Sequence, residues 1–77
     1  MEFEIRLGSV QDVQEFVSIA TTQPFAVTVG NVRHRVNGKS FMEMFCLDFD
    51  LPVTACCDST DEEGLRFRSE VARFLVE

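Results

Sequence analysis

Val36-Asn37-Gly38-Lys39-Ser40-Phe41-Met42-Glu43-Met44-Phe45-Cys46-Leu47 is the stretch on which the reading of this chain turns. It enters as the end of a strand, breaks at Asn37-Gly38 and restarts as a short apolar helix predicted to end near Asp48. Ser40 stands where an N-cap should stand, and Glu43 follows three residues later, which predicts a capping box. Behind the cap come Phe41, Met42, Met44, Phe45 and Leu47, more apolar groups than one buried stripe on so short a helix can absorb. Met44 or Leu47 is expected to face inward. Phe41, Met42 and Phe45, with Lys39 beside them, are then the candidate partner-binding surface, and Ser40 is the candidate for regulatory phosphorylation.

Working outward, the 77 residues are enough for one domain, 1–77, with a modest core. No apolar run reaches the roughly 18 residues of a membrane span, and no charged segment leads into an apolar one, so neither a span nor a signal peptide is predicted. A formal charge of −6 argues against nucleic acid as partner, because phosphate contacts need clustered Lys and Arg. Cys46, Cys56 and Cys57 are odd in number, and two are adjacent, which does not make a disulfide framework. A reducing cytoplasm is the expected compartment. With no C-x-x-C pair and a single histidine, neither a metal site nor a cofactor is predicted.

Upstream of the decisive stretch, Phe3, Ile5 and Leu7 alternate with Glu2, Glu4 and Arg6, a strand with one wet face. Ser9 with Asp12 opens a helix in capping-box fashion, and Val13, Phe16, Val17 and Ala20 form its buried stripe. Pro24 stops it. Phe25, Val27 and Val29 mark a second strand, Gly30-Asn31 a two-residue hairpin turn, and Val32–Val36 a third strand with Val32, His34 and Val36 on one face. Downstream, Leu51–Cys57 reads as a strand with Val53, Ala55 and Cys57 inward and Pro52 at its start. Thr60 and Glu63 predict another capping box, opening a helix that buries Phe67, Val71, Phe74 and Leu75, with Gly64 allowing a close approach. The order βαββαβα with one apolar face per strand implies an α+β fold. Three helices would cover one face of a four-stranded antiparallel sheet. A ferredoxin-like sheet is the competitor, but it does not require the last helix.

This order resembles the histidine-containing phosphocarrier protein family, HPr, of the bacterial sugar phosphotransferase system, whose fold is an open-faced β-sandwich. Val36-Asn37-Gly38-Lys39-Ser40-Phe41-Met42 is similar to that family's V-N-x-K-S-[IL]-M segment. The resemblance implies that Ser40 matches the regulatory serine. It also implies that the helix after it matches the surface docking enzyme I, the regulatory kinase and, in some bacteria, a transcription regulator.

The family's G-[IL]-H-A-R-P run is degenerate here. Ser9 falls at the histidine, Gln11 at the arginine and Asp12 at the proline. A serine hydroxyl is a poor acceptor from a phosphohistidine donor, and Asp12 would repel an incoming phosphate. The expectation is therefore a non-catalytic, HPr-like regulatory or protein-binding module. The alternative is a divergent phosphocarrier using Ser9 or His34 as acceptor. Protein partners of the enzyme I-like, HPr kinase-like or transcription-regulator kind are expected. Edge strands and an exposed apolar helix also favour a weak homodimer.

Overall fold

A computed structural model describes residues 1–47 and 51–76. Its strands are β1 (Glu2–Ile5), β2 (Val27–Gly30), β3 (Arg35–Asn37) and β4 (Val53–Cys57). The helices are α1 (Val10–Thr21), α2 (Phe41–Met44) and α3 (Asp61–Glu70), followed by a 3-10 turn at Ala72–Phe74. The strands form one antiparallel sheet in the order β1-β4-β2-β3. Alternation decides which face is buried. Phe3, Ile5, Val27, Val29, Val36, Val53, Ala55 and Cys57 all point into the core, whereas Glu2, Glu4, Arg35 and Asn37 lie on the uncovered face. The α+β architecture, helices on one face of an open four-stranded antiparallel sheet, is the predicted one.

The core is centred on Phe67 of α3. Its ring meets Phe16 of α1 at 5.8 Å, Phe3 of β1 at 6.0 Å and Phe25, just before β2, at 6.0 Å. Such tilted pairs add about 0.5–1.5 kcal/mol each beyond the area they bury. Gly64 lets α3 approach the chain start, since a Cβ there would press on Met1 and the Ser59 hydroxyl. Thr60 and Glu63 form the full reciprocal capping box. The closing segment is two pieces rather than one helix: α3 stops at Glu70, and Phe74 and Leu75 pack from the 3-10 turn and beyond it.

Several boundaries differ from the sequence reading. β1 ends at Ile5, although Leu7 is buried as expected. Helix α2 closes at Met44, one turn long; the predicted end near Asp48 lies outside the described residues. β4 starts at Val53, so Leu51 and Pro52 precede it.

The β2–β3 turn is the largest correction. Gly30 belongs to β2, and the connection is the four-residue loop Asn31–His34. Asn31 closes it by accepting from the amides of Arg33 (2.8 Å) and His34 (3.0 Å) through its side chain and donating its own amide to the His34 carbonyl (3.0 Å). Val32 and His34 therefore stand outside the strand, exposed, and of the three residues expected on one face only Val36 is buried.

The sheet edges are unequal. Beyond β1 the chain end adds backbone bonds, Arg6 amide to Phe74 carbonyl and Val76 amide to Glu4 carbonyl, so this edge is covered. That removes one of the two edges on which strand-to-strand self-association was expected.

Candidate functional site

The second helix is placed by its leading turn. The amide of Gly38 donates to the Val27 carbonyl at 2.7 Å, docking the turn on β2. There is no room for a side chain at Gly38: a Cβ would sit 2.8 Å from Val27 Cγ1 and 3.1 Å from Val29 Cγ2. Asn37 accepts from the Lys39 amide through its side chain and from the Ser40 amide through its carbonyl. Ser40 Oγ then accepts from the Glu43 amide at 3.3 Å, the predicted N-cap. The reciprocal half of the box is not formed. Glu43 instead accepts from the Asn37 amide at 3.4 Å, because the Ser40 amide is already used by the turn.

Beyond the cap, the apolar side chains divide into a buried and an exposed set. Met44 is fully buried and Leu47 nearly so, whereas Met42 is 82% exposed and Phe45 is 45% exposed. Phe41 is half-buried and packs edge-on against Phe45, ring centroids 4.5 Å apart. Phe41, Met42 and Phe45 thus make an apolar surface beside the Ser40 hydroxyl. Lys39 is not free to join it. Its ammonium donates to the Gln23 carbonyl at 2.8 Å, at the C-terminal end of α1, where a cation is favoured.

The loop before α1 holds the other three candidates. Ser9 is the N-cap, its Oγ accepting from the Asp12 amide at 3.2 Å. Asp12 turns its carboxylate back onto the Gly8 amide (3.0 Å) rather than that of Ser9, and also faces Arg73 at 3.6 Å. Gln11 is exposed. The three are therefore gathered at one helix end, but a carboxylate already accepts the Gly8 amide that would otherwise be available to an anion. His34, on the β2–β3 loop, belongs to a different element.

Sequence reasoning missed Arg73. Its guanidinium stacks 4.5 Å above the Phe74 ring and pairs with Glu15 as well as Asp12. With Glu15, Ser18, Ile19 and Glu70 it lines an open groove of about 330 Å³ between α1 and the closing segment. Only the R-F pair hinted at this, and partners so distant in sequence leave no local signal.

The arrangement is that of an HPr fold. No protein-family model matches the chain, and no curated protein matches it. Among solved structures it is similar to the crystal structure of HPr-C-His from Thermoanaerobacter tengcongensis. The TM-score is 0.75 and the identity 20%, over 95% of this chain and 91% of that one. At that identity the likeness establishes the fold. Among the described residues no helix is long and apolar enough to cross a membrane.

Proposed function

We propose that this chain is a non-catalytic, HPr-like protein-binding module that docks partners through α2, with Ser40 as a regulatory phosphorylation site. The observation that carries the reading is the division of the second helix. Met44 and Leu47 fill the core, and Met42 and Phe45 are left to solvent. An apolar group so exposed on a surface stabilises nothing in the monomer, and it fits burial against a protein partner. The degenerate loop supports the non-catalytic part, since the Ser9 hydroxyl is engaged by the Asp12 amide and the Asp12 carboxylate occupies the Gly8 amide. Partners of the enzyme I-like, HPr kinase-like or transcription-regulator class, and a bacterial cytoplasmic setting, are part of this proposal, and the likeness in fold to HPr is what supports them.

A second reading, a phosphocarrier accepting on Ser9, is favoured by the exposed position of that hydroxyl at the start of the 12-residue α1. Incubation with enzyme I and phosphoenolpyruvate followed by intact-mass measurement separates the two. The expected result is an unchanged mass. An adduct of one phosphate on Ser9 or His34 overturns the non-catalytic reading. Incubation with HPr kinase and ATP tests the switch: phosphate is expected on Ser40, and its absence removes the regulatory part.

A further inference from the structure

The fold treats the three methionines of the chain differently. Met1 is half-buried, with its Sδ seated against Gly64. Met44 is 0% exposed, whereas Met42, two residues earlier on the same one-turn helix, is 82% exposed. Met42 therefore offers its thioether to any oxidant in solution, and Met44 does so only when α2 opens. Met42 also belongs to the apolar surface it shares with Phe41 and Phe45, whose rings pack edge-on.

We infer, on the docking role proposed above for α2, that Met42 is an oxidative modification site through which a peroxide-class oxidant switches docking off. A lone pair of the Met42 sulfur attacks one peroxide oxygen, so an S–O bond forms as the O–O bond breaks. The proton left on the new oxygen passes to the leaving hydroxide, giving the sulfoxide and water. Sulfur loses two electrons, and the peroxide gains them. Methionine sulfoxide reductases return the thioether, so the change is reversible.

The product is polar but uncharged. In the free protein it stands in water, which leaves the Ser40 cap and the buried Met44 untouched. Against an apolar partner surface the same oxygen is stripped of water and finds no donor, which opposes burial. The fold is thus indifferent to an oxidation that the interface feels. The two inputs to this surface differ in kind: phosphate on Ser40 adds charge, and oxygen on Met42 adds polarity alone.

Hydrogen peroxide titration of the folded protein, read by intact mass and peptide mapping, tests the site. Binding to enzyme I and to HPr kinase, before and after, tests the switch. Cys46 is exposed and oxidises too, so a Cys46→Ala protein is treated in parallel. The first methionine oxygen is expected on Met42, ahead of Met1 and Met44, with an unchanged melting temperature. The oxidised protein should then bind at least about tenfold more weakly, as for loss of a central interface residue. Sulfoxide reductases should restore the binding. Met42→Leu, close in volume, should dock and ignore peroxide, whereas Met42→Gln should dock weakly without it.

Oxygen placed first on Met1 or Met44, or a lower melting temperature with Met42 alone oxidised, overturns the site. Equal binding by the oxidised and unoxidised proteins overturns the switch and leaves the docking reading standing. Unoxidised protein that binds neither enzyme overturns the docking reading, and the switch with it. A loss on oxidation that persists in Met42→Leu, or vanishes in Cys46→Ala, belongs to the thiol and overturns the assignment to Met42.

Discussion

The Lys39 ammonium and the Gln23 carbonyl, 2.8 Å apart, tie the start of α2 to the end of α1. Gln23 extends the link, since its Nε2 donates to the Ile19 carbonyl and to Glu70 at 3.1 Å each, so the C-terminal ends of α1 and α3 meet at the same point. The apolar surface of α2 is thereby held in a fixed place relative to both longer helices. Lys39, expected from the sequence beside the partner-binding surface, is here a strut.

Lys39→Ala should lower stability by about 1.5–3 kcal/mol, the range for a hydrogen bond to a charged group. Lys39→Arg should not restore it, because a planar fork does not replace a compact ammonium at a single carbonyl. Chemical denaturation of the three proteins checks this. A Lys39→Ala midpoint equal to wild type would return the residue to the free surface.

Met42 and Met44 should respond in opposite ways to the same change. Met42→Glu exchanges one exposed group for another and should move stability by about 0.5 kcal/mol or less. Met44→Glu places a carboxylate where exposure is 0% and should be destabilising by several kcal/mol. Thermal melts of the two, with partner binding measured on Met42→Glu, separate a docking surface from core. Equal collapse in both would mean that α2 is simply interior.

The three tight glycines should rank in a defined order. Gly30→Ala drives a Cβ into the backbone carbonyl of His34 and should be the worst. Gly38→Ala meets Val27 Cγ1 at 2.8 Å and the Val27 carbonyl at 3.2 Å, giving overpacking of about 1–3 kcal/mol. Gly64→Ala presses first on Met1 Sδ, the far end of a flexible side chain, and should be mildest. Urea midpoints would expose any inversion of this order.

How far the sequence carries can be seen at its turns. Ser9, Ser40 and Thr60 all cap helices where the residue pattern puts them, because capping is a local bond across three positions. Alternation likewise places Phe3, Ile5, Val53, Ala55 and Cys57 on the buried face. Gly30-Asn31 carries a true turn signal but an ambiguous one. Whether Asn31 occupies the turn or closes it depends on where its side chain bonds, and that choice moves Val32 and His34 off the strand. Lys39 to Gln23, Arg73 to Asp12 and Val76 to Glu4 join residues far apart in sequence, so no local pattern announces them.

Cys57 gives the pH dependence. Burial pushes its thiol from 9.0 up to about 11, with the N-terminal ammonium acting against the shift and Cys56 with it. Below pH 9 the thiol is protonated in both states and the group makes no difference. Between about 9 and 11 the unfolded chain sheds this proton and the folded one keeps it, so stability falls as pH rises. Wild type should therefore lose ground to Cys57→Ala across that window. A constant gap between the two melting curves from pH 8 to pH 11 would contradict the assignment. Alkylation at pH 8 should modify Cys46 first, since it is exposed, and Cys57 last.

Ser40 and Glu43 supply the final test, because the half-formed box makes their coupling specific. Ser40 Oγ holds the Glu43 amide, so Ser40→Ala should lose about 1 kcal/mol with the cap. Ser40→Asp keeps an acceptor and puts negative charge at the partially positive helix start, and should lie close to wild type. The Glu43 carboxylate, bonded to the Asn37 amide, sits in the same first turn and repels that charge. In a Glu43→Gln background the repulsion is gone, so Ser40→Asp should become stabilising relative to serine, while Ser40→Ala should lose the same amount as before. The cycle also reports on a phosphoryl group at Ser40, which carries more charge than aspartate and would meet the same carboxylate. Melting temperatures of the six proteins give the coupling directly. If Ser40→Asp behaves like Ser40→Ala in both backgrounds, the hydroxyl is not acting as a cap, and the electrostatic basis for a switch at Ser40 is lost.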